Sequence, residues 1–337
     1  MREQWKELAG IVSRFKERRV AVVGDLVLDR FWYGNVQRVS REAPVPIVRL
    51  AQTRLLPGCA ANTVWNLASL GAKPIPVGAV GADREGDELV DVLSRSGVDT
   101  SLLVRWPSWA TPTKTRILAG TFHGHKQQMV RVDSGEENTF DEPLLSRLRG
   151  GLDRALEGAD ALIVSDYGYG MAEALQVRGF VPRVPLSALD SRFNMGDFAG
   201  AGLTTATPNE EEFEQACGRP LGEDDALLER EGEALRSRLG LKALLVTRGG
   251  KGMSLFEAGR AVVHMPVVGS DQVVDVTGAG DTVISTYVLS LSAGASFHQA
   301  AAIANAAGGI VVQKHGTATA STEEITLTLK EWGEGRL

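Results

Sequence analysis

Short runs of consecutive apolar residues alternate along this chain with segments whose apolar residues recur every three or four positions. The first run, Val20 to Val23, ends at Gly24 and has the character of a strand buried on both faces of a parallel sheet. Similar runs lie at 77–80, 161–164, 186–189 and 244–247. Helical spacing falls at 3–18, 59–70, 85–96, 143–157, 209–217, 224–239, 279–293 and 296–309, and 321–337 is predicted to be a closing helix. The alternation predicts an α/β fold with a doubly wound, mostly parallel sheet flanked by helices.

Two segments break this alternation. Residues 30–50 are rich in aromatic and β-branched side chains and contain Pro44 and Pro46, and residues 111–133 alternate apolar and polar positions as half-exposed strands do. Neither segment contains a helical pattern. We predict that both contribute strands to a small antiparallel sheet, which is inserted as a lid or a dimer surface into a single domain spanning 1–337.

Composition narrows the class of protein. The 36 Lys and Arg residues stand against 42 Asp and Glu residues, and the net charge of -6 argues against a general nucleic-acid binder. No apolar run is long enough for a membrane span, and the N-terminus lacks the apolar core of a signal peptide. The two cysteines, Cys59 and Cys217, have no metal-ligand spacing, so we expect a cytoplasmic protein. The 38 glycines favour the tight strand-to-helix turns of nucleotide-binding α/β proteins.

The most specific motif is Asp275-Val276-Thr277-Gly278-Ala279-Gly280-Asp281-Thr282, which an apolar helix follows. Its glycines let successive backbone N–H groups point at one spot, where the positive end of the helix dipole attracts an anion. Asp281, in the first turn, would accept a proton from a hydroxyl whose oxygen attacks phosphorus. The alternative makes Asp281 a helix N-cap and the glycines turn formers. The chain contains no Gly-x-x-x-x-Gly-Lys-[Ser/Thr] motif, so phosphate binding of the P-loop kind is excluded.

Two further motifs suit a nucleotide. Asn209 and Glu212 share one helix face and would orient Mg²⁺-bound water around a phosphate, unless they only form a capping box. The segment Thr247-Arg248-Gly249-Gly250-Lys251-Gly252 would line phosphates or ribose with its backbone amides, although a plain hairpin turn explains it equally well. His123 and His125 lack a third ligand, so no metal site is expected there.

Polar residues after the first strand suit a sugar. Asp25 follows the carboxyl end of that strand, where ligands of parallel sheets bind, and would hold two hydroxyls; the alternative is a turn-forming Asp. Asn62 lies in Pro57-Gly58-Cys59-Ala60-Ala61-Asn62 at the start of a helix and would reach the same pocket. The basic lid residues would suit a phosphate already on the substrate, or else form a solvated strand face; they are Lys114, Arg116 and Arg131.

In this order, the early glycine motif, the Asn-x-x-Glu element and the late Asp275–Asp281 signature resemble the PfkB/ribokinase family of small-molecule kinases over essentially the whole chain. Within that family the chain is most similar to the D-glycero-D-manno-heptose 7-phosphate kinases of lipopolysaccharide precursor synthesis. The segments that carry this similarity are 24–34, 42–46, 127–133, 165–167, 207–209 and 275–282.

The resemblance implies a kinase that uses ATP and Mg²⁺ to convert heptose 7-phosphate, at its anomeric hydroxyl, to the 1,7-bisphosphate. It also implies a role for each matching residue. Asp281 would be the base and the amides of Gly278, Ala279 and Gly280 the anion hole; Asn209 and Glu212 would support Mg·ATP; Thr247, Gly249 and Gly252 would line the nucleotide and Asn305 the adenine; Asp25, Gly58 and Asn62 would hold the sugar; Asp275 and Thr277 match a monovalent-cation (K⁺) site of some members. Lid strands of this family often pair between subunits, which implies a homodimer.

Two departures from the family pattern bear on the substrate. Cys59 stands where the family usually has a second glycine, so a side chain would narrow the sugar pocket or shift its backbone. Asp190-Ser191-Arg192 replaces the more usual Asp-Pro. Bifunctional members carry a nucleotidyltransferase after the kinase, and the lack of a His-x-Gly-His motif here predicts the kinase alone. Two other functions stay open: a kinase for another sugar, sugar phosphate or nucleoside, and a non-catalytic sugar or nucleotide sensor.

Overall fold

A computed structural model describes residues 4–120, 126–135, 137–269 and 274–335, so His123 and His125 lie outside the described residues. The described strands are β1 (Arg19–Gly24), β2 (Leu26–Val39), β3 (Pro46–Cys59), β4 (Lys73–Gly81), β5 (Leu103–Trp106), β6 (Thr113–Gly120), β7 (Gln127–Ser134), β8 (Ala161–Asp166), β9 (Ser187–Ser191), β10 (Thr205–Ala206), β11 (Ala243–Thr247), β12 (Met253–Glu257) and β13 (Val263–Met265). The α-helices are α1 (Gln4–Val12), α2 (Ala60–Ser69), α3 (Arg84–Arg95), α4 (Glu142–Leu156), α5 (Met171–Ala174), α6 (Glu210–Cys217), α7 (Asp225–Leu239), α8 (Ala279–Ser292), α9 (Phe297–Val311) and α10 (Thr322–Gly333). None of them is long and apolar enough to cross a membrane.

Nine of these strands form the central sheet, in the order β13-β12-β11-β10-β9-β8-β1-β4-β5. The strands from β11 to β5 pair in parallel, and β12 and β13 add an antiparallel edge. This arrangement confirms the predicted α/β class. The first helical pattern, 3–18, is shorter than predicted, because α1 ends at Val12 and a separate 3₁₀ turn covers Phe15–Glu17.

Helices cover both faces of this sheet. In β1, Ala21 and Val23 pack into the core beneath α4 and α7, while Val20 and Val22 pack into the core formed with α2, α8 and α9. All four side chains are at most 1% exposed. The uninterrupted apolar run therefore reflects a strand buried on both sides.

A second sheet, which we call the lid, has the strand order β3-β2-β6-β7. The pairs β2–β3 and β6–β7 are antiparallel, as predicted for this small sheet, while the central pair β2–β6 is parallel and departs from that prediction. After β3 the chain passes through β4 and β5 of the main sheet before it enters the lid again as β6. Strand β6 therefore leaves the main sheet in the same direction as β2, with Thr113 opposite Leu28. Alternating polarity gives the faces of a strand and not the direction of its partner.

Candidate active site

The carboxylate of Asp281 lies at the N-terminus of α8 with hydrogen-bond donors around it. Its Oδ2 accepts from Asn62 Nδ2 at 2.7 Å, and its Oδ1 accepts from Thr63 Oγ1 and from the hydroxyl of Tyr167, each at 2.9 Å. These donors come from α2 and from the segment after β8. Two segments distant from α8 in sequence therefore fix the orientation of its carboxylate.

Contacts between α2 and α8 hold this arrangement in register. Thr282 Oγ1 donates to Asn66 Oδ1 at 2.8 Å, and Ser285 Oγ donates to the carbonyl of Thr63 at 3.1 Å. Gly278 caps α8 with a positive φ of 79°, and a Cβ there would lie 2.6 Å from Asn62 Nδ2. A residue larger than glycine would therefore push against the amide that holds Asp281.

Burial dominates the electrostatics of Asp281, which is 4% exposed. It raises the pKa of the carboxyl to about 6, although the hydrogen bonds from Asn62, Tyr167 and Thr63 act in the opposite direction. A carboxylate with such a pKa is ionised at neutral pH and is more basic than an exposed one. It can therefore hold a proton taken from a hydroxyl.

Asp25 lies at the end of β1 with backbone amides directed at its carboxylate. Oδ2 accepts from the N–H groups of Tyr167 at 2.8 Å and Tyr169 at 3.1 Å, and Oδ1 accepts from that of Met171 at 3.3 Å. Burial raises the pKa of Asp25 to about 6 despite these bonds. The same segment thus supplies the amides for Asp25 and, through Tyr167, a hydroxyl donor for Asp281.

Cys59 joins β3 to α2 in a backbone conformation that is rare for any residue but glycine, with φ 53° and ψ -132°. Its side chain is buried, and its Sγ lies 3.6 Å from Lys114 Nζ. Burial raises the pKa of the thiol well above its usual value, and the charges of Asp281, Asp29 and Asp25 add to this. The thiol therefore sits among the polar groups predicted to hold the sugar.

The lid cations already have partners. Arg116 Nη1 lies 2.5 Å from Asp29 Oδ1, and Lys114 Nζ lies 5.5 Å from the ring centroid of Tyr169. Burial raises the pKa of Asp29, against the opposing charge of Arg116. Arg131, on the exposed strand β7, pairs with Asp133 at 2.9 Å.

Gly58 lies against Asp29, since a Cβ there would meet Asp29 Oδ2 at 2.9 Å. Only a glycine allows the backbone to approach this carboxylate so closely. Gly58 and the adjacent Cys59 thus lie beside the same group of carboxylates. The φ of Gly58 is not positive, so the need for glycine comes from the close approach alone.

A cleft of about 250 Å³ extends from Asp281 along the carboxyl ends of β9 and β11. It brings together three motifs that lie far apart in sequence. Its lining residues are Tyr167, Asp190, Arg192, Phe193, Thr207, Asn209, Glu211, Glu212, Gln215, Thr247, Gly278, Gly280 and Asp281. Of the predicted nucleotide residues, Asn209, Glu212 and Thr247 therefore open on the same space as the predicted base.

Asn209 and Glu212 also form the capping box of α6. Asn209 Oδ1 accepts from the Glu212 N–H, and Glu212 Oε2 accepts from the Asn209 N–H, both at 2.9 Å. Burial raises the pKa of Glu212 and, well above its usual value, that of Asp190, whose pKa the charge of Glu212 raises further. Asn209 and Glu212 therefore cap α6, as the alternative interpretation predicts. Because both also line the cleft, their side chains are placed to contact a ligand as well.

The other predicted ligand residues lie outside the described lining of this cleft. Gly249 and Gly252 flank the 3₁₀ turn that follows β11, and Asn305 Nδ2 donates to the carbonyl of Pro266 at 2.6 Å. Asp275 accepts from the N–H and Oγ1 of Thr277 at 2.9 and 2.7 Å. Burial raises the pKa of Asp275, but these bonds outweigh it and hold that pKa below its usual value.

Sequence reasoning assigned no role to Thr63, Tyr167, Asp190 or Arg192. Thr63 directly follows Asn62 in the first turn of α2, so its hydroxyl, next to a residue predicted to reach the pocket, was a detectable signal. Tyr167 directly follows β8, and Asp190 lies near the end of β9. Both are at the carboxyl ends of strands, where ligands of parallel sheets bind. Their placement was therefore open to prediction, while their contact with Asp281 depends on packing between distant segments.

Residues 17–324 match the sequence pattern described as pfkB family carbohydrate kinase. The bifunctional protein HldE of Pseudomonas aeruginosa (strain LESB58) is 41% identical over 320 residues, and that of Aeromonas salmonicida (strain A449) is 40% identical over 324. These alignments cover 93% and 94% of this chain but 64% and 65% of the relatives. The chain thus spans less than two-thirds of their length.

Solved structures share the fold. Arabidopsis thaliana ribokinase, complexed with ribose and ATP, superposes with a TM-score of 0.70 at 20% identity, covering 93% of this chain and 99% of that one. Escherichia coli phosphofructokinase-2, in complex with fructose-6-phosphate, gives a TM-score of 0.76 at 17% identity, covering 94% and 99%. At these identities the likeness concerns the backbone architecture alone.

Proposed function

This chain belongs to the pfkB family of carbohydrate kinases, and on that premise we propose that it phosphorylates heptose 7-phosphate at its anomeric hydroxyl, giving the 1,7-bisphosphate. The substrate class rests on the resemblance of its sugar-side segments and on the relatives named HldE. The observation that carries the chemistry is the buried, triply hydrogen-bonded carboxylate of Asp281 at the N-terminus of α8.

In the proposed reaction Asp281 takes the proton of the sugar hydroxyl. The sugar oxygen forms the new bond to the γ-phosphorus of ATP, and the bond between that phosphorus and the ADP oxygen breaks. Asn62, Thr63 and Tyr167 position the base by holding its two oxygens. A base of this kind contributes a factor of about 10² to 10⁴ to the rate.

The first turn of α8 would stabilise the transferred group. The helix dipole is positive at Gly278, and the N–H groups of Gly278, Ala279 and Gly280 lie at this end. The Ala279 N–H donates to the carbonyl of Val276 at 3.2 Å and would exchange this bond for the phosphoryl oxygen. Gly280 is free of close neighbours, since nothing lies within 4 Å of a Cβ built on it. A phosphoryl group therefore has room to approach these amides.

The cleft residues fit a Mg²⁺ ion that accompanies ATP. Glu212 and Asp190 line the same cleft, and the negative charge of Glu212 raises the pKa of Asp190, an unfavourable interaction that a cation would relieve. Mg²⁺ usually keeps several waters and takes one or two carboxylates plus substrate phosphates. Glu212, which accepts a hydrogen bond from the backbone N–H of Asn209, would bind such an ion through water. The ion would neutralise charge on the phosphates.

On the sugar side, Asp25, Gly58 and Asn62 would hold hydroxyls, and three lid cations would bind the substrate phosphate. Arg116 would then exchange part of its pairing with Asp29 for the phosphate, while Lys114 approaches from beside Cys59. Arg131, exposed on β7, would reach the phosphate on closure of the lid. Closure would also exclude water, which competes with the sugar for the phosphoryl group.

Three further properties belong to this proposal. A K⁺ site would be formed with Asp275 and Thr277. The nucleotide would be bordered by Gly249, Gly252 and Asn305. The lid would pair two subunits into a homodimer. The free thiols of Cys59 and Cys217 suit a reducing cytoplasm. We expect no nucleic acid or membrane among the partners, and a single kinase domain with inserted lid strands.

One observation favours a second candidate, a kinase of the same mechanism for another sugar or a nucleoside. Cys59 places a side chain in the pocket where the family pattern has glycine, and its Sγ contacts Lys114 at 3.6 Å. A narrowed pocket would select a different acceptor. A non-catalytic sensor is the weaker rival, because Asp281 and its donors are all present.

The test is ADP release from Mg·ATP with heptose 7-phosphate, fructose 6-phosphate, ribose and adenosine. We expect turnover confined to heptose 7-phosphate, with Asp281→Asn lowering kcat by about 10² to 10⁴. Turnover with another acceptor would replace the substrate assignment but keep the kinase. Near wild-type activity of Asp281→Asn on the preferred sugar would remove the proposed base.

A further inference from the structure

Arg192 is the one cation among the described residues that line the cleft. Four carboxylate side chains line the same space, namely Asp190, Glu211, Glu212 and Asp281. A surface of this composition repels a nucleotide's phosphates. The dipole of α8 offsets this repulsion only near Gly278, so a positive side chain, in addition to the proposed Mg²⁺ ion, would stabilise the far part of the phosphate chain.

The guanidinium of Arg192 is available for such a role. Among the described residues it has no ion pair, and its contact is with the ring of Phe193, 5.1 Å from Cζ to the centroid. Arg192 is exposed on the cleft side, and its charge lowers the pKa of Glu212, so it acts on the residue proposed to support Mg·ATP. A planar guanidinium with five N–H donors matches phosphate oxygens in pairs.

We propose that Arg192 binds the phosphate chain of the nucleotide during phosphoryl transfer. The cleft it lines also contains Asn209 and Thr247, which are predicted to bind the nucleotide. The cations of the lid, in contrast, surround Asp29 and Cys59 on the sugar side. This inference rests on the proposed function and names a residue that contacts ATP.

The backbone that carries Arg192 is fixed by the residue before it. Ser191 Oγ donates to Asp166 Oδ2 at 2.8 Å and accepts from the N–H of Asn194 at 3.1 Å. The N–H of Arg192 donates to the carbonyl of Asp166 at 3.0 Å. Asp166 directly precedes Tyr167, which donates to Asp281, so one short segment connects the proposed base to the turn with Arg192.

The Ser191 hydroxyl explains one departure of this chain from the family pattern. A proline in its place would offer no side-chain donor to Asp166 and no N–H. Here the hydroxyl anchors the turn, and the arginine that follows extends over the cleft. Ser191 is thus a positioning residue for Arg192.

The test uses Arg192→Ala and Arg192→Lys in the full chain, with Arg147→Ala as the matched control. Arg147 also stacks on an aromatic ring, Trp106 at 5.4 Å, but lines a different groove, beside β5. We expect Arg192→Ala to raise the KM for ATP and the Kd for Mg·ADP by roughly tenfold to a hundredfold, the loss of a charge-assisted hydrogen bond. Arg192→Lys should lose less, and Arg147→Ala should match the wild type.

Two results would overturn the proposal. One is unchanged nucleotide affinity in Arg192→Ala, and the other is a rise in the sugar KM with the ATP KM unchanged. Calorimetry with Mg·ADP needs no sugar, so it reads the role of Arg192 even where heptose 7-phosphate is not the substrate. Failure of the sugar assignment and failure of this inference are thereby separate results.

A second pair of variants tests the positioning role. Ser191→Ala removes the hydrogen bond to Asp166. We expect it to raise the KM for ATP by roughly threefold to tenfold, which is the size of effect expected from the loss of one hydrogen bond. Ser191→Thr keeps the hydroxyl and should restore the wild-type KM. Equal KM values for both variants would show that the anchor does not act on Arg192.

Discussion

At the scale of single residues, this site depends on carboxylates kept in surroundings that resist their ionisation. Asp281 and Asp25 are each at most 4% exposed, and burial raises both pKa values to about 6. Each carboxylate then receives several N–H or O–H donors, which keep it ionised at neutral pH. The balance gives carboxylates that are fixed in direction and more basic than an exposed one.

The pH dependence of the kinase follows from these values. As the proposed base, Asp281 would act only when ionised, so we expect kcat/KM to rise from about pH 5 to about pH 7 and then to level off. The acid side should be steeper than one proton allows, because Asp25 also loses its proton near pH 6. A profile that is flat across this range would contradict the assignment of Asp281.

Stability should change with pH in the opposite direction. The native pKa of about 6 lies above 3.8, the usual pKa of an exposed Asp, so the contribution of Asp281 to the free energy of unfolding is complete below pH 3.8 and is lost as the pH rises through 6. Asp281→Asn lacks this titration. The stability of the variant relative to wild type should therefore rise by about 1 kcal/mol between about pH 5 and pH 8, measured by urea unfolding.

Cys59 offers a second prediction at this scale. Its backbone at φ 53° and ψ -132° is a region that costs a residue with a Cβ about 1–3 kcal/mol. We expect Cys59→Gly to be more stable than Cys59→Ala by about 1 kcal/mol in denaturant unfolding. Cys59→Ala is the matched control, since both variants lack the thiol and differ in the Cβ. Equal stabilities would mean that the backbone relaxes without cost.

At the scale of elements, the apolar runs and helical spacings predict most of the main sheet and its helices. Five of its strands appear as runs, from β1 to β11, whereas β10 has two residues and β5 carries Arg105 among its four. Strands as short as these leave no periodic signal. Their place in the sheet is set by the neighbours that pair with them.

The site divides in the same way. The motif at 275–282 predicts the start of α8 and the position of Asp281, because glycines and a following apolar helix are local features. The hydroxyls of Thr63 and Tyr167 join that carboxylate across 218 and 114 positions. Such contacts follow from the packing of α2 and β8 against α8 and have no signature in a local window.

The N-terminus of α8 can be tested with its two glycines. Gly278→Ala would place a Cβ 2.6 Å from Asn62 Nδ2 at a positive φ, so we expect a loss of about 1–2 kcal/mol in stability together with loss of activity. Gly280→Ala meets nothing within 4 Å and gains helix propensity, so its stability should be equal or higher. Its added methyl lies in the cleft, and kcat should fall. A stable, active Gly278→Ala would contradict the argument.

At the scale of the whole molecule, the lid exposes a group of large apolar side chains to solvent. Its exposed apolar residues, or those of the loop between β2 and β3, are Val39, Val45, Ile47, Leu50, Met129, Val130 and Val132. Several of these side chains are more than half exposed, in contrast to the buried strands of the main sheet. Apolar surface of this kind marks an interaction site.

We therefore expect a homodimer in light scattering, and expect Leu50→Glu to shift it towards monomer, because a charge would be buried at the interface. Leu327→Glu is the matched control, since Leu327 is 55% exposed on α10, outside the lid, compared with 53% for Leu50. A monomeric wild type at micromolar concentration, or a Leu50→Glu variant that remains dimeric, would place the interface elsewhere.

The distances along the chain between Asp281 and its partners have a consequence for synthesis on the ribosome. Asn62 and Tyr167 emerge 219 and 114 residues before the aspartate that they hold. Until α8 leaves the exit tunnel and docks, the amide and the hydroxyl have no carboxylate to orient, and a growing chain lacks the proposed base. The closing of such long loops is also a slow step in folding. Asp281 therefore acquires its hydrogen-bond donors late in synthesis, in the single event in which α8 docks.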